Sequence, residues 1–145
     1  MNRMILKFLS RSENEPFARN AVAAFALPLN PSLSELSDVK TAVSEAVTNC
    51  IVHGYRGTEG WITLECTVEG SFLHIMISDG GRGIEDVERA LMPFYTTLPD
   101  EERTGMGFTI MQTFMTNFSV QSRVGEGTTV RMSMDFGARA EANAQ

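Results

Sequence analysis

Two short glycine-rich segments constrain the fold of this 145-residue chain more than any other feature. One is Asp-Gly-Gly-Arg-Gly at residues 79–83, which follows an apolar stretch; the other is Arg-Thr-Gly-Met-Gly-Phe at residues 103–108, which opens onto an apolar helix. Glycine lets the backbone approach a ligand closely, and the start of a helix presents N–H groups and a positive dipole end to an anion. The acidic residue of the first segment can instead accept a hydrogen bond from an exocyclic amine. Together the segments predict a nucleotide pocket, with a base site and a polyphosphate site.

A third block lies in a segment that is predicted to be helical because its apolar residues recur with a period of 3.6. Glu45, Asn49 and His53 follow one another at intervals of four, so we expect them along one flank of the buried stripe. A carboxylate and a carboxamide one turn apart offer a proton acceptor beside an oxygen ligand for Mg²⁺. This flank is therefore predicted to face the same pocket as the two glycine-rich segments.

The three blocks read Glu-x-x-x-Asn, Asp-x-Gly-x-Gly and Gly-x-Gly, and in this order they resemble the N, G1 and G2 boxes of the GHKL ATPase and kinase superfamily. More specific stretches at residues 43–49, 53–55 and 104–111 resemble the sporulation anti-sigma-F factors, a family of serine kinases. The likeness extends to about residue 136. It implies ATP and Mg²⁺ as cofactors, a sigma factor of the sigma-F type as partner, an anti-anti-sigma protein as phosphorylation substrate, and a homodimer.

The resemblance also implies roles for residues at the nucleotide. Glu45 is the expected general base and Asn49 the expected Mg²⁺ ligand, while Asp79 is expected to accept a hydrogen bond from the adenine amine. From the residues alone, Glu45 could equally be a solvated carboxylate. Asp79 follows an apolar strand, so it should be partly buried and need a donor such as the adenine amine; the alternative is a turn-forming aspartate before the glycines. The remaining expected nucleotide contacts lie in the two glycine-rich segments: Gly81, Gly83, Thr104, Gly105, Met106, Gly107 and Phe108.

Four further residues are candidates for a functional role, and three of them have a second interpretation. Arg103 is expected to hold the γ-phosphate or orient the protein substrate, and is otherwise a solvated loop charge. Thr97 matches a threonine in the relatives' lid that can bond a phosphate. His53 either contacts the nucleotide or the lid, or caps the end of its helix. Arg19 is a solvated charge by sequence alone, whereas the resemblance makes it a contact for both protein partners.

Composition limits the partners and the compartment. A net charge of −6 argues against direct binding of nucleic acid, because phosphates require a basic face. No apolar run approaches the ~20 residues that span a bilayer, and the first residues lack the apolar core of a signal peptide. Cys50 and Cys66 stand apart at apolar positions, so we expect buried free thiols instead of a zinc site or a disulfide. These features predict a cytoplasmic protein.

Periodicity predicts an α+β fold, with a mostly antiparallel sheet and helices on one face, and the resemblance implies the Bergerat ATP-binding fold. We expect one domain at residues 1–136 and a frayed tail at 137–145. Asn14 is predicted to cap the first helix, whose expected buried face comprises Phe17, Ala21, Ala24 and Phe25, with Arg19 pointing the opposite way. Strands are predicted at 4–9, 61–68, 72–78, 118–123 and 128–136, and helices at 15–26, from 32 onward, at 85–91 and at 107–116.

Two classes of function remain open. One is an ATP-dependent protein serine kinase, and the other is a nucleotide-gated binding module with little kinase activity. A stress-response anti-sigma kinase of the same superfamily is an alternative, although such relatives usually read Gly-Gly-Leu-Gly at the second glycine block. In 145 residues we expect neither the phospho-accepting hairpin of a histidine kinase nor the transducer domains of a gyrase-type ATPase.

Overall fold

The computed structural model describes residues 1–92 and 107–137. Within them one sheet contains the strands β1 (Asn2–Leu9), β2 (Trp61–Glu69), β3 (Phe72–Asp79), β4 (Asn117–Arg123) and β5 (Gly127–Asp135). The helices are α1 (Asn14–Ala26), α2 (Leu33–Asn49), α3 (Val87–Ala90) and α4 (Gly107–Phe114). A 3₁₀ turn (Leu27–Leu29) follows α1, and a π-helical turn (Cys50–Gly54) follows α2.

The strands lie in the order β1-β2-β3-β5-β4, and each neighbouring pair is antiparallel. Alternate residues of β2, β3 and β5 point to one face, where the helices cover them, because successive side chains of a strand point to opposite faces. The α+β prediction, with helices on one face of an antiparallel sheet, is confirmed. The buried apolar residues of these three strands are Ile62, Leu64, Cys66, Leu73, Ile75, Ile77, Val130, Met132 and Met134.

The helix α2 forms as its sequence predicts. Ser32 Oγ accepts a hydrogen bond from the N–H of Glu35 at 3.0 Å, and the Glu35 carboxylate accepts one from the N–H of Ser32 at 2.9 Å. This capping box satisfies two N–H groups that the first turn leaves unpaired, and an N-cap is typically worth ~1 kcal/mol. The predicted stripe is buried against the sheet: Val39, Ala42, Val43, Ala46, Val47 and Cys50.

The start of α1 differs from the prediction. Asn14 is the first residue of the helix instead of its cap, and no side chain caps the N-terminus. The Asn14 amide donates a hydrogen bond to the Leu9 carbonyl at 2.9 Å. Its side chain therefore connects the helix to the end of β1, a use that local sequence does not reveal.

The buried face of α1 was also predicted wrongly, except at Phe25, which is partly buried against the core. The structure buries Ala18, Val22 and Ala26, while Phe17 is 56% exposed. The helix is apolar on more than one side, so periodicity alone does not choose a face; contact with the core selects the smaller residues, which allow the backbone to approach closely. Arg19 follows Ala18 and lies on the flank, half-buried, with Nη1 2.9 Å from Oε1 of Glu15. It does not point directly away from the core as predicted.

The other predicted elements agree with the structure to within a few residues, except that the π-helical turn was not anticipated. Residues 93–106, which include the expected lid residue Thr97, and nearly all of the predicted tail lie outside the described residues. No helix in the described part of the chain is long and apolar enough to cross a membrane.

Candidate nucleotide site

The π-helical turn after α2 brings two predicted blocks together. The N–H of Tyr55 donates to the carbonyl of Cys50 at 2.9 Å, a spacing of five residues that widens the last turn. The turn places Gly54 against the end of β3, where a Cβ at Gly54 would lie 2.9 Å from the carboxyl atoms of Asp79. The close approach of Gly54 to Asp79 therefore depends on the absence of a side chain.

The first glycine-rich loop rests directly on this turn. The N–H of Arg82 donates to the carbonyl of Gly54 at 2.9 Å, and a Cβ at Gly81 would lie 2.2 Å from that oxygen. Gly83 has a φ of +76°, and a Cβ there would lie 2.1 Å from the carbonyl oxygen of Arg123. Contact with the chain's own backbone thus requires glycine at both positions. From the sequence, we expected glycine there only because the loop approaches a ligand.

Asp79 is half-buried at the end of β3 and is approached by three elements. Burial raises the pKa of its carboxyl group, and hydrogen bonds from the Gly81 N–H, the Cys50 thiol and the Thr128 backbone act in the opposite direction. The bond from Gly81 measures 2.9 Å to Oδ1, so Asp79 also shapes the turn. Asp79 can therefore form the turn and still accept a hydrogen bond from a nucleotide base, so the two interpretations of this residue do not exclude each other.

Tyr55 supports the same loop and was not given a role by sequence reasoning. Its hydroxyl accepts a hydrogen bond from the N–H of Gly80 at 2.8 Å and is hydrogen-bonded to the Trp61 carbonyl. The hydroxyl thus joins the loop to the start of β2. Tyr55 belongs to the stretch at residues 53–55 that carries the resemblance, but nothing in the local pattern predicts the partners of its hydroxyl.

The predicted phosphate end of the site lies where α2 meets α4. A Cβ at Gly107, the first residue of α4, would lie 3.2 Å from both Oδ1 and Nδ2 of Asn49 and 3.3 Å from Oε2 of Glu45. The predicted flank of α2 therefore contacts the start of the helix that follows the second glycine-rich segment. A carboxylate, a carboxamide and a helix N-terminus lie side by side.

The remaining predicted residues divide into three groups. His53 lies in the π-helical turn and is half-buried. The Phe108 ring packs 5.9 Å from that of Phe118, so a contact with nucleotide would come from its backbone. The others lie outside the described residues: Thr97, Arg103, Thr104, Gly105 and Met106.

The donor set near α4 fits Mg²⁺ better than a metal that needs a protein cage. Among the residues that the structure describes, no group of three or more His, Cys, Asp or Glu side chains is placed to hold a metal ion. Mg²⁺ is usually held by one or two protein oxygens together with phosphates and water. The Asn49 amide oxygen, adjacent to the start of α4, can supply one such ligand.

Residues 8–134 match the family model of the histidine kinase-like ATPase domain. The chain is 54% identical to the anti-sigma F factor of Thermoanaerobacter sp. strain X514 over 137 residues, 94% of this chain and 96% of the relative. It is 53% identical to that of Clostridium acetobutylicum over 135 residues, 93% and 94% of the two chains. This chain belongs to the anti-sigma F factor family.

Solved structures share the fold of this anti-sigma F factor family member. The catalytic domain of the histidine kinase ThkA superposes with a TM-score of 0.55 at 15% identity, covering 91% of this chain and 95% of that one. The RsbU and RsbW domains of a Mycobacterium tuberculosis protein give 0.67 at 15% identity, covering 93% of this chain and 32% of the other. At such identities the likeness establishes the fold alone.

Proposed function

We propose that this chain binds a sigma factor of the sigma-F type in a nucleotide-dependent way and transfers the γ-phosphoryl group of ATP to a serine of an anti-anti-sigma protein. The observation that carries the proposal is the convergence of Glu45, Asn49 and Gly107 at the junction of α2 and α4. Phosphoryl transfer depends on positioning and charge stabilisation more than on covalent chemistry by the protein. A carboxylate that can act as a base and an amide oxygen that can bind a metal, both next to the start of a helix, meet that need.

Glu45 acts as the general base in the proposed reaction. Its carboxylate takes the proton of the serine hydroxyl while the serine oxygen bonds to the γ-phosphorus and the bond to the bridging oxygen breaks, releasing ADP. The N–H groups at the start of α4 stabilise negative charge on the phosphates. Asn49 would hold Mg²⁺, which when bound neutralises phosphate charge.

Asp79 selects the base in this proposal. An ionised carboxylate only accepts hydrogen bonds, so it pairs with the 6-amino group of adenine and repels the 6-carbonyl oxygen of guanine. Gly81 and Gly83 keep the loop close to the carboxylate, because the backbone packing described above excludes larger residues. This arrangement favours ATP over GTP.

The partner contacts rest on the family and on α1. The sigma factor as partner follows from the relatives' name, anti-sigma F factor. The proposed contact is Arg19 on the flank of α1, whose guanidinium is oriented by Glu15. The homodimer and the cytoplasmic location stay predictions. So do the contacts with nucleotide or substrate that are expected of Thr97, Arg103, Thr104, Gly105 and Met106.

The proposal is tested by incubating the chain with γ-labelled ATP, Mg²⁺ and an anti-anti-sigma protein of the same organism. Label on a serine of the partner is the expected result. Release of labelled inorganic phosphate alone would make water the acceptor. If the chain captures the sigma factor in a nucleotide-dependent way but transfers no phosphoryl group, the proposed kinase activity is overturned. The chain would then be a nucleotide-gated binding module. Asp79→Asn, with its acceptor replaced by an amide, serves as the nucleotide-binding control.

A further inference from the structure

The first glycine-rich loop also rests on the hairpin between β4 and β5. The N–H of Gly125 donates to the carbonyl of Arg82 at 2.8 Å. The N–H of Ile84, at the end of the loop, donates to Oγ of Ser122 at 2.7 Å. The loop is therefore held between this hairpin and the π-helical turn, and Ser122 contributes a side chain to the contact with the hairpin.

Ser122 lies on the face of the sheet that carries the candidate site. It pairs with Thr128 across β4 and β5, and Thr128 pairs with Asp79 across β5 and β3. Residues directly opposite each other on neighbouring strands point to the same face. Ser122, Thr128 and Asp79 therefore form one row, whose next member, Ile62 of β2, is fully buried in the core. This row places the Ser122 side chain beside the predicted base site.

The Ser122 hydroxyl uses every hydrogen bond that it can form. A serine hydroxyl has one proton to donate and two lone pairs that accept. Its proton goes to the carbonyl of Gly127 at 3.0 Å, and one lone pair accepts from the Ile84 N–H. Oγ1 of Thr128 lies 2.8 Å away, so the Thr128 hydroxyl donates to the second lone pair. Ser122→Ala would take this partner away from three groups at once.

The bond to Ile84 also bears on Asp79, through the backbone of the loop. The N–H of Gly81 donates to Oδ1 of Asp79 at 2.9 Å. Ile84 lies three residues after Gly81, so the release of Ile84 frees the backbone that carries the Gly81 N–H. The orientation of the carboxylate therefore depends on a serine of another strand, 38 positions from Ile84.

We propose that Ser122 is a positioning residue for recognition of the nucleotide base, fixing the first glycine-rich loop to the β4–β5 hairpin so that Asp79 faces the base. The inference rests on the proposed ATP site. Because Ser122 acts at the base end, its loss weakens binding of ATP and ADP by the same factor and leaves the transfer rate of bound ATP unchanged. This pattern is the opposite of the one expected for Glu45, whose carboxylate acts on the transfer step.

Ser71 provides a matched control. Its Oγ lies 2.7 Å from Oδ1 of Asp135, and it directly precedes β3, at the end of that strand opposite to Asp79. Ser71→Ala therefore removes a half-buried serine hydroxyl with a hydrogen bond of the same length, at the far end of the same sheet. Ser122→Thr is the conservative variant, because threonine keeps the hydroxyl and is favoured in strands.

The functional experiment measures ATP and ADP affinities by calorimetry and the transfer rate at saturating ATP. Ser122→Ala should bind both nucleotides about three- to tenfold more weakly, as expected for one lost hydrogen bond, and should transfer at the wild-type rate. Ser122→Thr and Ser71→Ala should stay within about twofold of the wild type in both affinities. Thermal melts of the nucleotide-free variants verify that each chain is folded at the temperature of the titration.

Amide hydrogen exchange tests the contact itself and requires no nucleotide. In the wild-type chain the Ile84 N–H should exchange at least about tenfold more slowly than an amide of an unstructured peptide. Ser122→Ala should speed this exchange, whereas the Phe136 N–H, which donates to the Ser71 carbonyl at the other end of the sheet, should keep its rate. A wild-type Ile84 N–H that exchanges like an unstructured amide overturns the inference, even if Ser122→Ala does not fold.

The outcomes separate the two proposals. A wild-type chain that binds no ATP overturns the proposed function, and the role of Ser122 in base recognition falls with it. A wild-type chain that binds ATP, with Ser122→Ala unchanged in affinity, overturns the inference about Ser122 alone. An equal loss of affinity in Ser71→Ala would do the same, because the effect would then be one of general stability. A slower transfer rate at saturating ATP in Ser122→Ala would place its effect at the phosphate end and would also overturn the inference.

Discussion

The base end and the phosphate end of the site are built in different ways. At the base end the glycines face backbone: a Cβ at Gly81 or Gly83 would lie within 2.2 Å of a carbonyl oxygen. At the phosphate end a Cβ at Gly107 would meet only the ends of the Asn49 and Glu45 side chains, at 3.2–3.3 Å. Side-chain ends can move by a few tenths of an ångström and packed backbone cannot. In the proposed site, recognition of the base would therefore depend on packed main chain, while the chemistry would depend on side chains of a helix.

The largest effect is expected at the phosphate end. Glu45→Ala should slow phosphoryl transfer about 10²–10⁴-fold, the usual contribution of a positioned general base. ATP affinity should change only a few-fold, because the base end is untouched. Single-turnover transfer and calorimetric ATP binding measure the two quantities. Parallel losses of rate and affinity would show that Glu45 binds nucleotide or supports the fold, and the separation of the two ends would fail.

The next largest effect is expected at Gly81. Gly81→Ala forces a Cβ against the Gly54 carbonyl, and overpacking of this kind costs ~1–3 kcal/mol. ATP affinity and thermal stability should both fall. Gly80→Ala is the neighbouring control, since its Cβ would have only an ordinary 3.6 Å contact with the Tyr55 hydroxyl. If the two variants behave alike in calorimetry and thermal melts, the base end is not fixed by backbone packing as described.

Arg19 lies on α1 and tests whether partner binding is separate from both ends of the site. Arg19→Ala should weaken sigma-factor binding by about 30-fold if this residue is an interface hot spot, at ~2 kcal/mol. ATP affinity should be unchanged, and the fold should lose no more than about 0.5 kcal/mol. A pull-down of the sigma factor, an ATP titration and a melt on the same variant measure the three effects. Normal capture of the sigma factor would leave Arg19 as the partner of Glu15 alone.

The smallest effect is expected at Tyr55. Tyr55→Phe removes the hydroxyl that accepts from the Gly80 N–H and bonds to the Trp61 carbonyl, at a typical net cost of ~0.5–1.5 kcal/mol. The ring stays, so packing is preserved. We expect a lower melting temperature and a modest loss of ATP affinity, with the transfer rate of bound ATP unchanged. A changed rate at saturating ATP would mean that the two ends are coupled.

Much of the fold was predictable because its signals are local. The alternation along β2 and β3, the capping box of Ser32 and Glu35 and the apolar stripe of α2 each follow from neighbouring residues. The meeting of Glu45, Asn49 and Gly107 was predictable in outline, since two of these residues share one helix flank. Their residue types already indicated a nucleotide site.

Several features were not predictable, because contacts distant in sequence decide them. The buried face of α1 and the use of Asn14 depend on what the helix packs against. The bonds of the Tyr55 hydroxyl join residues separated by up to 25 positions, so no local pattern encodes them. The π-helical turn was not predictable for the same reason, because it packs against the end of β3, which is distant in sequence.

The sequence by itself determined most of the secondary structure, the α+β class and the residue types of the candidate site, because periodicity and residue chemistry are properties of short segments. Only the tertiary structure decided that Gly81 and Gly83 are required by the chain's own backbone and that Gly54 packs against the Asp79 carboxyl group. Such contacts depend on distances of a few tenths of an ångström between elements. Those distances are set by the packing of the whole domain.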